Sequence, residues 1–175
     1  HTYQGIVQYE WETNAAGYKF HNWFGFGKVD AAEAVSVASS YTANSRGTFV
    51  STGYQSSGTI NSSIINPNTT TSTISLTKPS GSNNFVEFVR VTINLDHEVP
   101  KSVGLRLQSP GGSVINIMQP MTNVGNNPAG TLFEIGVSGL YGEVIEGDWI
   151  IGVNDYINDS TNGKLVQWGI EVYGN

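Results

Sequence analysis

The amino-acid sequence predicts an all-β protein, a jelly-roll β-sandwich preceded by one short helix. Short segments alternate apolar and polar residues, turn signals rich in Gly, Pro and Asn separate them, and only one segment has helical character. A chain of 175 residues can bury roughly 70% of its unfolded surface, so a core can form without cross-links. The absence of cysteine excludes disulfides and thiolate metal sites.

Charge and the length of the apolar runs exclude two classes of protein, nucleic-acid-binding and membrane-spanning. The net charge is −6 and no basic stripe is present, so the sequence does not have the pattern of a nucleic-acid-binding protein. The apolar runs are too short to span a membrane. Acidic residues occur before position 39 and from position 87 onward, with none between, which marks a change in composition along the chain.

The first element is a helix predicted over residues 28–38. Asp30 and Glu33 have the spacing of a capping box, and the alanines that surround Glu33 favour a helix. An aromatic-rich stretch without a clean period precedes it and is typical of a surface that packs on a missing partner. Its aromatic residues are Tyr3, Tyr9, Trp11, Tyr18, Phe20, Trp23, Phe24 and Phe26.

The next stretch, residues 39–84, consists mainly of Ser, Thr and Asn, with 27 such residues among 46. This composition fits a disordered linker. However, "GTFVST", "GTINSSII" and "TSTISLT" carry the β-branched residues that strands favour. We therefore expect short strands with polar outer faces.

The remaining strands are predicted from strict alternation in the second half of the chain. They are "VRVTINL", "VGLRLQ", "FEIGV", "WIIGV" and "VQWGIEV", and in the last of these Val166, Trp168, Ile170 and Val172 are expected to face the core. Trp149 and Trp168 share the parity of the apolar positions, which favours core packing. The alternative is an aromatic platform for carbohydrate, for which Tyr141, Tyr156 and Tyr173 are the available residues.

Two sets of residues resemble one protease family. "NAAGYKFHNWFGFGKVDAAEAV" (14–35) resembles the end of a subtilisin-like catalytic domain of the kexin and furin branch, where a glycine–aromatic–glycine turn leads into a final helix. The rest resembles the P domain, also called Homo B, that follows this catalytic domain. The matching stretches are "LDHEVPKSVGLRLQSPGGS" (95–113), "YGEVIEGDWIIGVND" (141–155) and "GKLVQWGIEVYG" (163–174).

The resemblance implies an accessory role in a secreted serine endopeptidase. Residues 1–38 would be the tail of the catalytic domain, and residues 39–175 a P domain that packs on it, stabilises it and influences its pH and calcium behaviour. Trp23, Phe24 and Phe26 would belong to that interface or cap the jelly roll. The partner would be the chain's own catalytic domain, with contacts to a protein substrate as a further expectation. The absence of cysteine and the many Asn-Ser-Thr turns favour a bacterial exported protein.

The chain is not expected to cut peptides by itself. A subtilisin needs a serine in a Gly-Thr-Ser motif, which this sequence lacks. His21 and His97 could act as bases only beside a nucleophile, and the sequence indicates none. We expect His21 to pack or to hydrogen-bond, and His97 to fix a turn. The alternative to a protease accessory domain is a stand-alone extracellular binding module for polysaccharide or protein.

A calcium site is predicted near the loop 153–165, which is rich in the oxygen donors that calcium prefers. The same residues could instead form Asx turns with their own backbone. Asp96, beside Glu98, offers a second acidic edge that loops at one end of a jelly roll could bring close. The predicted ligands are Asp96, Asp155, Asn158 and Asp159.

Overall fold

Two antiparallel sheets pack face to face around one hydrophobic core, which confirms the predicted fold class. The computed structural model describes residues 10–43, 45–122, 132–157 and 163–175. In chain order the elements are β1 (Glu12–Thr13), β2 (Lys19–Phe20), α1 (Ala31–Ser40), β3 (Val50–Ser51), β4 (Gln55–Ser56), β5 (Ser62–Ile64), β6 (Thr70–Leu76), β7 (Val86–His97), a 3₁₀ turn (Pro100–Ser102), β8 (Val103–Gln108), β9 (Val114–Met118), β10 (Leu132–Val137), β11 (Gly147–Asp155) and β12 (Gly163–Gly174).

The chain crosses repeatedly from one sheet to the other. The first sheet has the order β10-β7-β12-β3, with β4 and β5 also pairing with β12, and the second has the order β6-β11-β8-β9. All of these pairs are antiparallel. With β3, β4 and β5 taken as one edge position, the eight positions follow the two-sheet order of a jelly roll.

The core forms where the inner faces of the sheets meet. Val89, Val91 and Ile93 of β7 are fully buried, as their alternation predicts. Trp149 and Trp168 are also fully buried, which confirms that they pack in the core. The indole Nε1 of Trp168 donates to Ser72 Oγ at 2.9 Å and so links the two sheets.

One expected core position is wrong. A register shift between Leu165 and Gln167 interrupts the pairing of β12 with β7, and it breaks the alternation. Leu165 therefore enters the core with no exposed surface, while Val166 is half-buried. The Val166 carbonyl instead accepts hydrogen bonds from the amides of Ile60 and Asn61, at 2.8 and 3.3 Å.

The Ser-, Thr- and Asn-rich stretch forms strands rather than a linker. β3, β4 and β5 pair with β12, and β6 pairs with β11 along seven positions. Ile64, Ile74 and Leu76 face the core, whereas their polar neighbours face outward. A mainly polar segment therefore forms strands here, because its apolar residues at alternate positions can face the core.

The predicted helix is present as α1, with its start and end two to three residues later than predicted. Asp30 is its N-cap, and Asp30 Oδ1 accepts a hydrogen bond from the Glu33 amide at 3.0 Å. None of its residues is buried. Within the described part of the chain, no helix combines the length and apolarity that a membrane crossing requires.

Candidate interface site

The hairpin formed by β1 and β2, here called the docked hairpin, is fixed to the jelly roll by Asn14. The Asn14 amide nitrogen donates to the carbonyls of Gly139 and Tyr141, at 3.1 and 2.9 Å. Its amide oxygen accepts from the backbone amides of Ala16 and Tyr18, at 3.1 and 2.9 Å. One buried side chain therefore shapes the turn of the hairpin and anchors it to the loop after β10.

Glu143 is the second anchor. Its Oε1 accepts from the Ala15 amide at 3.1 Å, and the Ser109 hydroxyl donates to its Oε2. The Ala15 amide also lies 2.8 Å from Ser113 Oγ. Through these hydrogen bonds, the carboxyl group of Glu143 connects the hairpin, the β8–β9 turn and the loop before β11. Glu143 is buried, so these bonds are shielded from water.

Three glycines form the floor on which the docked hairpin rests. A Cβ atom on Gly142, whose φ is +82°, would lie 2.6 Å from the Tyr18 ring. A Cβ atom on Gly139 would lie 2.8 Å from the Phe20 ring, and one on Gly111 would lie 2.7 Å from a hairpin Cβ. All three distances are shorter than the contacts that Cβ atoms make in proteins. The hairpin therefore fits this surface only because the three positions are glycines.

Phe26 covers the junction between hairpin and jelly roll. Its ring centroid lies 5.3 Å from that of Phe20, 5.9 Å from that of Tyr141 and 6.5 Å from that of Tyr18. These are edge-on contacts, the arrangement that aromatic quadrupoles favour. Of the two roles predicted for Phe26, interface or cap, these contacts support the cap.

Trp23 and Phe24 lie on the outside of the same segment. Trp23 is 70% exposed and Phe24 is 65% exposed, although one face of the Phe24 ring packs on His21 at 4.8 Å. Val29, just before α1, and Val35 and Val37 within it are also exposed. We call these five side chains the N-terminal apolar surface. Several large exposed apolar side chains within one short segment are typical of an interaction site.

The two candidate histidines have structural contacts. His21 is buried, and its Nδ1 accepts from the Trp23 amide at 3.0 Å. His97 Nδ1 accepts from the Val99 amide at 3.1 Å, which confirms that His97 fixes the turn after β7. With Nδ1 acting as an acceptor, the neutral imidazole carries its proton on Nε2, which lies 3.4 Å from Asp155 Oδ2.

The predicted calcium ligands are not brought together where the structure describes them. Asp155 is buried, and its Oδ1 accepts from the Ile157 amide at 3.0 Å, while its Oδ2 faces the His97 N–H. Asp96 is exposed and lies on the opposite face of β7 from His97. Asn158 and Asp159 lie outside the described residues. Calcium binding therefore stays a prediction, since both oxygens of Asp155 already face N–H groups.

Sequence reasoning missed the anchors of the docked hairpin. Glu143 lies in the quoted motif "YGEV", but no role followed from it. Its contact with Ala15 joins residues 128 positions apart, and that distance in sequence hides the pairing. The sequence does contain a signal for it, because Glu143 lies between a glycine and the apolar pair Val144 and Ile145. An acidic residue that is buried in such a place needs a hydrogen-bond donor.

Comparison with known proteins places most of the chain beside one group of proteases. The family model described as the proprotein convertase P-domain matches residues 86–172. Human proprotein convertase subtilisin/kexin type 5 is 28% identical over 186 residues, which cover 94% of this chain and 9% of that protein. The rat type 6 protein is 27% identical, with 94% of this chain and 18% of that protein covered.

A bacterial protease is similar over the same range. The Aeromonas extracellular serine protease of Aeromonas sobria is 25% identical over 198 residues, with 94% of this chain and 31% of that protein covered. The chain thus spans less than a third of each of these relatives. The crystal structure of the serine protease of Aeromonas sobria has a TM-score of 0.81 at 24% identity, covering 94% of this chain and 33% of that chain. Through residues 86–172, the chain is therefore similar to the proprotein convertase P-domain family.

Proposed function

We propose that the chain is the accessory P domain of a secreted, kexin-like serine endopeptidase, together with the last segment of its catalytic domain. Residues 1–38 would form that segment and residues 39–175 the P domain. The comparisons support this because 94% of the chain aligns with relatives named as proteases while spanning only 9% to 31% of their length. The catalytic chemistry would then belong to the part of the protein that this chain does not include.

The observation that carries the proposal is the contrast between the two sides of the N-terminal segment. Its inner side is anchored through Asn14 and Glu143, whereas its outer side exposes the N-terminal apolar surface. A ten-residue helix is marginal by itself in water, so α1 needs a partner against which to bury its apolar face. The catalytic domain is the partner that fits, because the helix would be its last element.

The P domain would act as a brace. Burial of the N-terminal apolar surface would contribute about 25 cal/mol per Å² of apolar area removed from water. The docked hairpin is held to the jelly roll by buried hydrogen bonds, so the segment that carries the apolar surface is rigidly connected to it. Contacts of this surface with the catalytic domain would therefore couple the stabilities of the two domains. The role is to stabilise the catalytic domain, with no proteolysis by the chain itself.

The experiment uses the full-length protease encoded by the gene. The double variant Trp23→Ser, Val35→Ser removes two side chains of the apolar surface, and Ile65→Ser is a matched control at an exposed site outside it. We expect the double variant to lose peptidase activity severalfold faster on heating, while the control behaves as wild type. The isolated chain should not hydrolyse peptides.

Two results would oppose the proposal. Equal inactivation rates for the double variant and wild type would contradict the stabilising role. A reading frame without an upstream Gly-Thr-Ser motif would contradict the assignment of the chain to a protease. The extracellular location of the bacterial relative supports secretion of the parent protein, and a bacterial source is part of the same proposal.

A further inference from the structure

The outer face of the first sheet, which the proposed brace does not use, carries four aromatic rings. Phe88 of β7 and Tyr173 of β12 are partners across the ladder, and Phe49 and Tyr54 precede β3 and β4. The planes of Phe49 and Tyr173 are 15° apart with centroids separated by 6.1 Å, so these rings are offset and nearly parallel. Phe49 is 61% exposed, Tyr54 43% and Phe88 41%.

Two glycines let aromatic rings approach this face closely. A Cβ atom on Gly136 would lie 2.8 Å from Phe88 Cζ, and one on Gly169 would lie 2.3 Å from Tyr54 Oη. Tyr54 Oη is also 3.0 Å from Thr92 Oγ1, and Thr92 is buried although its position in β7 faces outward. Both rings therefore contact the sheet closely while remaining partly exposed to water.

A polar network separates the ring of Tyr54 from those of Phe88 and Tyr173. Arg90 Nη2 lies 2.5 Å from Glu171 Oε2, and Arg90 Nη1 lies 3.6 Å from Glu134 Oε1. Ser51 Oγ donates to Glu171 Oε1 at 2.5 Å. One cation thus faces two carboxylates, and donors and acceptors stand side by side in fixed positions.

We propose that this face binds a neutral polysaccharide chain. Sugar rings have an apolar face that can stack on an aromatic ring, and their hydroxyl groups both donate and accept hydrogen bonds. The outer face of the first sheet offers aromatic rings at its two ends and a polar network between them. Four residues separate Gly169 from Tyr173, about 13 Å at the rise of a strand, so a short stretch of an extended sugar chain would reach both aromatic ends.

A protein partner fits this face less well. The centre of a protein interface is depleted of Glu, Asp and Lys and enriched in aromatic residues and Arg. Here Glu134 and Glu171 occupy the centre beside Arg90, and the aromatic rings lie towards the ends. Of the tyrosines that the sequence suggests for a platform, only Tyr173 lies on this face. Tyr141 packs on the docked hairpin instead.

The test measures depletion of the 175-residue chain from solution by insoluble cellulose, chitin and starch. We expect saturable binding to at least one of them, and release by a soluble oligosaccharide of the same sugar. Tyr54→Ala and Phe88→Ala should each weaken half-saturation about fivefold. Tyr41→Ala, at an exposed ring that is not one of these four, is the matched control and should bind as wild type.

A second pair of variants leaves every aromatic ring in place. Gly136→Ala forces the Phe88 ring off the sheet and should weaken binding. Gly152→Ala is its control in the second sheet, where the new Cβ atom would make an ordinary 3.4 Å contact with Thr69. Melting temperatures of all variants establish that they are folded.

The proposal is overturned if the folded chain shows no saturable binding to any of the three polysaccharides, or if the ring variants bind as tightly as Tyr41→Ala. Retention on collagen-like fibres with none on the polysaccharides would overturn it in favour of a protein partner. None of these outcomes bears on the brace, which is tested by heat inactivation of the protease and uses other residues.

Discussion

Glu143 shows how one buried side chain can join parts of the chain that are far apart in sequence. Its two oxygens accept from the Ala15 amide and the Ser109 hydroxyl, and neither carboxyl oxygen is left without a donor. Buried polar groups destabilise a fold unless they are paired. The pairing here depends on the hairpin being in place, so Glu143 couples the hairpin to the jelly roll.

We predict that Glu143→Ala lowers the free energy of unfolding by about 1–3 kcal/mol, because the Ser109 hydroxyl loses its buried partner. Glu143→Gln should lower it less, since the amide keeps an oxygen for Ala15 and can donate to Ser109. Urea denaturation measures both values. Hydrogen exchange at the Ala15 amide should accelerate in the alanine variant. Equal stability of the alanine variant and wild type would contradict the coupling.

Glu171 gives the stability a defined pH dependence. The hydrogen bond donated by Ser51 is the main cause that holds the pKa of Glu171 below its ordinary value of 4.5, with Tyr173 and Arg90 acting in the same direction and burial opposing them. Because the folded pKa is below the unfolded one, the contribution is present above the unfolded pKa. It is lost as pH falls through the folded pKa.

We therefore expect wild type to lose melting temperature more steeply than Glu171→Gln between about pH 6 and pH 3. The two proteins should differ most at the upper end of this range and converge at the lower end, because glutamine does not titrate. Thermal melts at constant ionic strength measure the difference. Parallel curves for the two proteins would rule out this contribution.

At the scale of elements, the docked hairpin is held by shape as well as by hydrogen bonds. Gly142 both adopts a φ of +82° and leaves room for the Tyr18 ring. Gly17, in the turn of the hairpin itself, has a φ of +85° but no atom within 4 Å of its Cβ position. The two glycines therefore separate the backbone cost of an added side chain from its steric cost.

We predict that Gly142→Ala destabilises the chain more than Gly17→Ala does. Both variants strain a left-handed backbone position, at about 1 kcal/mol or more each, but only Gly142→Ala pushes the hairpin off its floor. Chemical denaturation gives the difference in unfolding free energy. Limited proteolysis should cut between β1 and β2 faster in Gly142→Ala. Equal effects of the two substitutions would mean that the close contact contributes nothing.

At the scale of the whole molecule, the end of the sandwich that holds Asp155 is the place where calcium would act. There, Asp155 Oδ1 accepts a hydrogen bond from the Ile157 amide, and Asp155 Oδ2 lies 3.4 Å from His97 Nε2 without a hydrogen bond between them. A cation would need oxygen donors that are not engaged with N–H groups. The predicted ligands Asn158 and Asp159 are therefore the ones on which binding would depend.

We expect millimolar calcium to raise the melting temperature of the chain relative to chelator, since a ligand bound only by the folded state stabilises it. Asp159→Asn should abolish the increase, while Asp96→Asn should not, because Asp96 lies on the outer face of β7. Magnesium at the same concentration is the control for ionic strength. An unchanged melting temperature in calcium would end the prediction.

Local sequence period accounts for the parts of the fold that were predicted correctly. Alternation places Val91, Trp149 and Trp168 in the core because side chains of a strand point to opposite faces at every second residue. The spacing of Asp30 and Glu33 locates α1 because a cap needs only its own first turn. The bulge that misplaces Val166 could not be predicted this way, since it arises from pairing with β5 and β7.

The amino-acid sequence by itself determined the fold class, the single helix, the two core tryptophans and the resemblance to a protease accessory domain. These follow from short-range patterns and from motifs that keep their order along the chain. Only the tertiary structure decided that Glu143 and Asn14 anchor the hairpin, that Asp96 and Asp155 face different sides, and that Tyr54 and Phe88 share a surface. The physical reason is that these contacts join strands and loops distant in sequence, and sheet pairing alone brings such residues together.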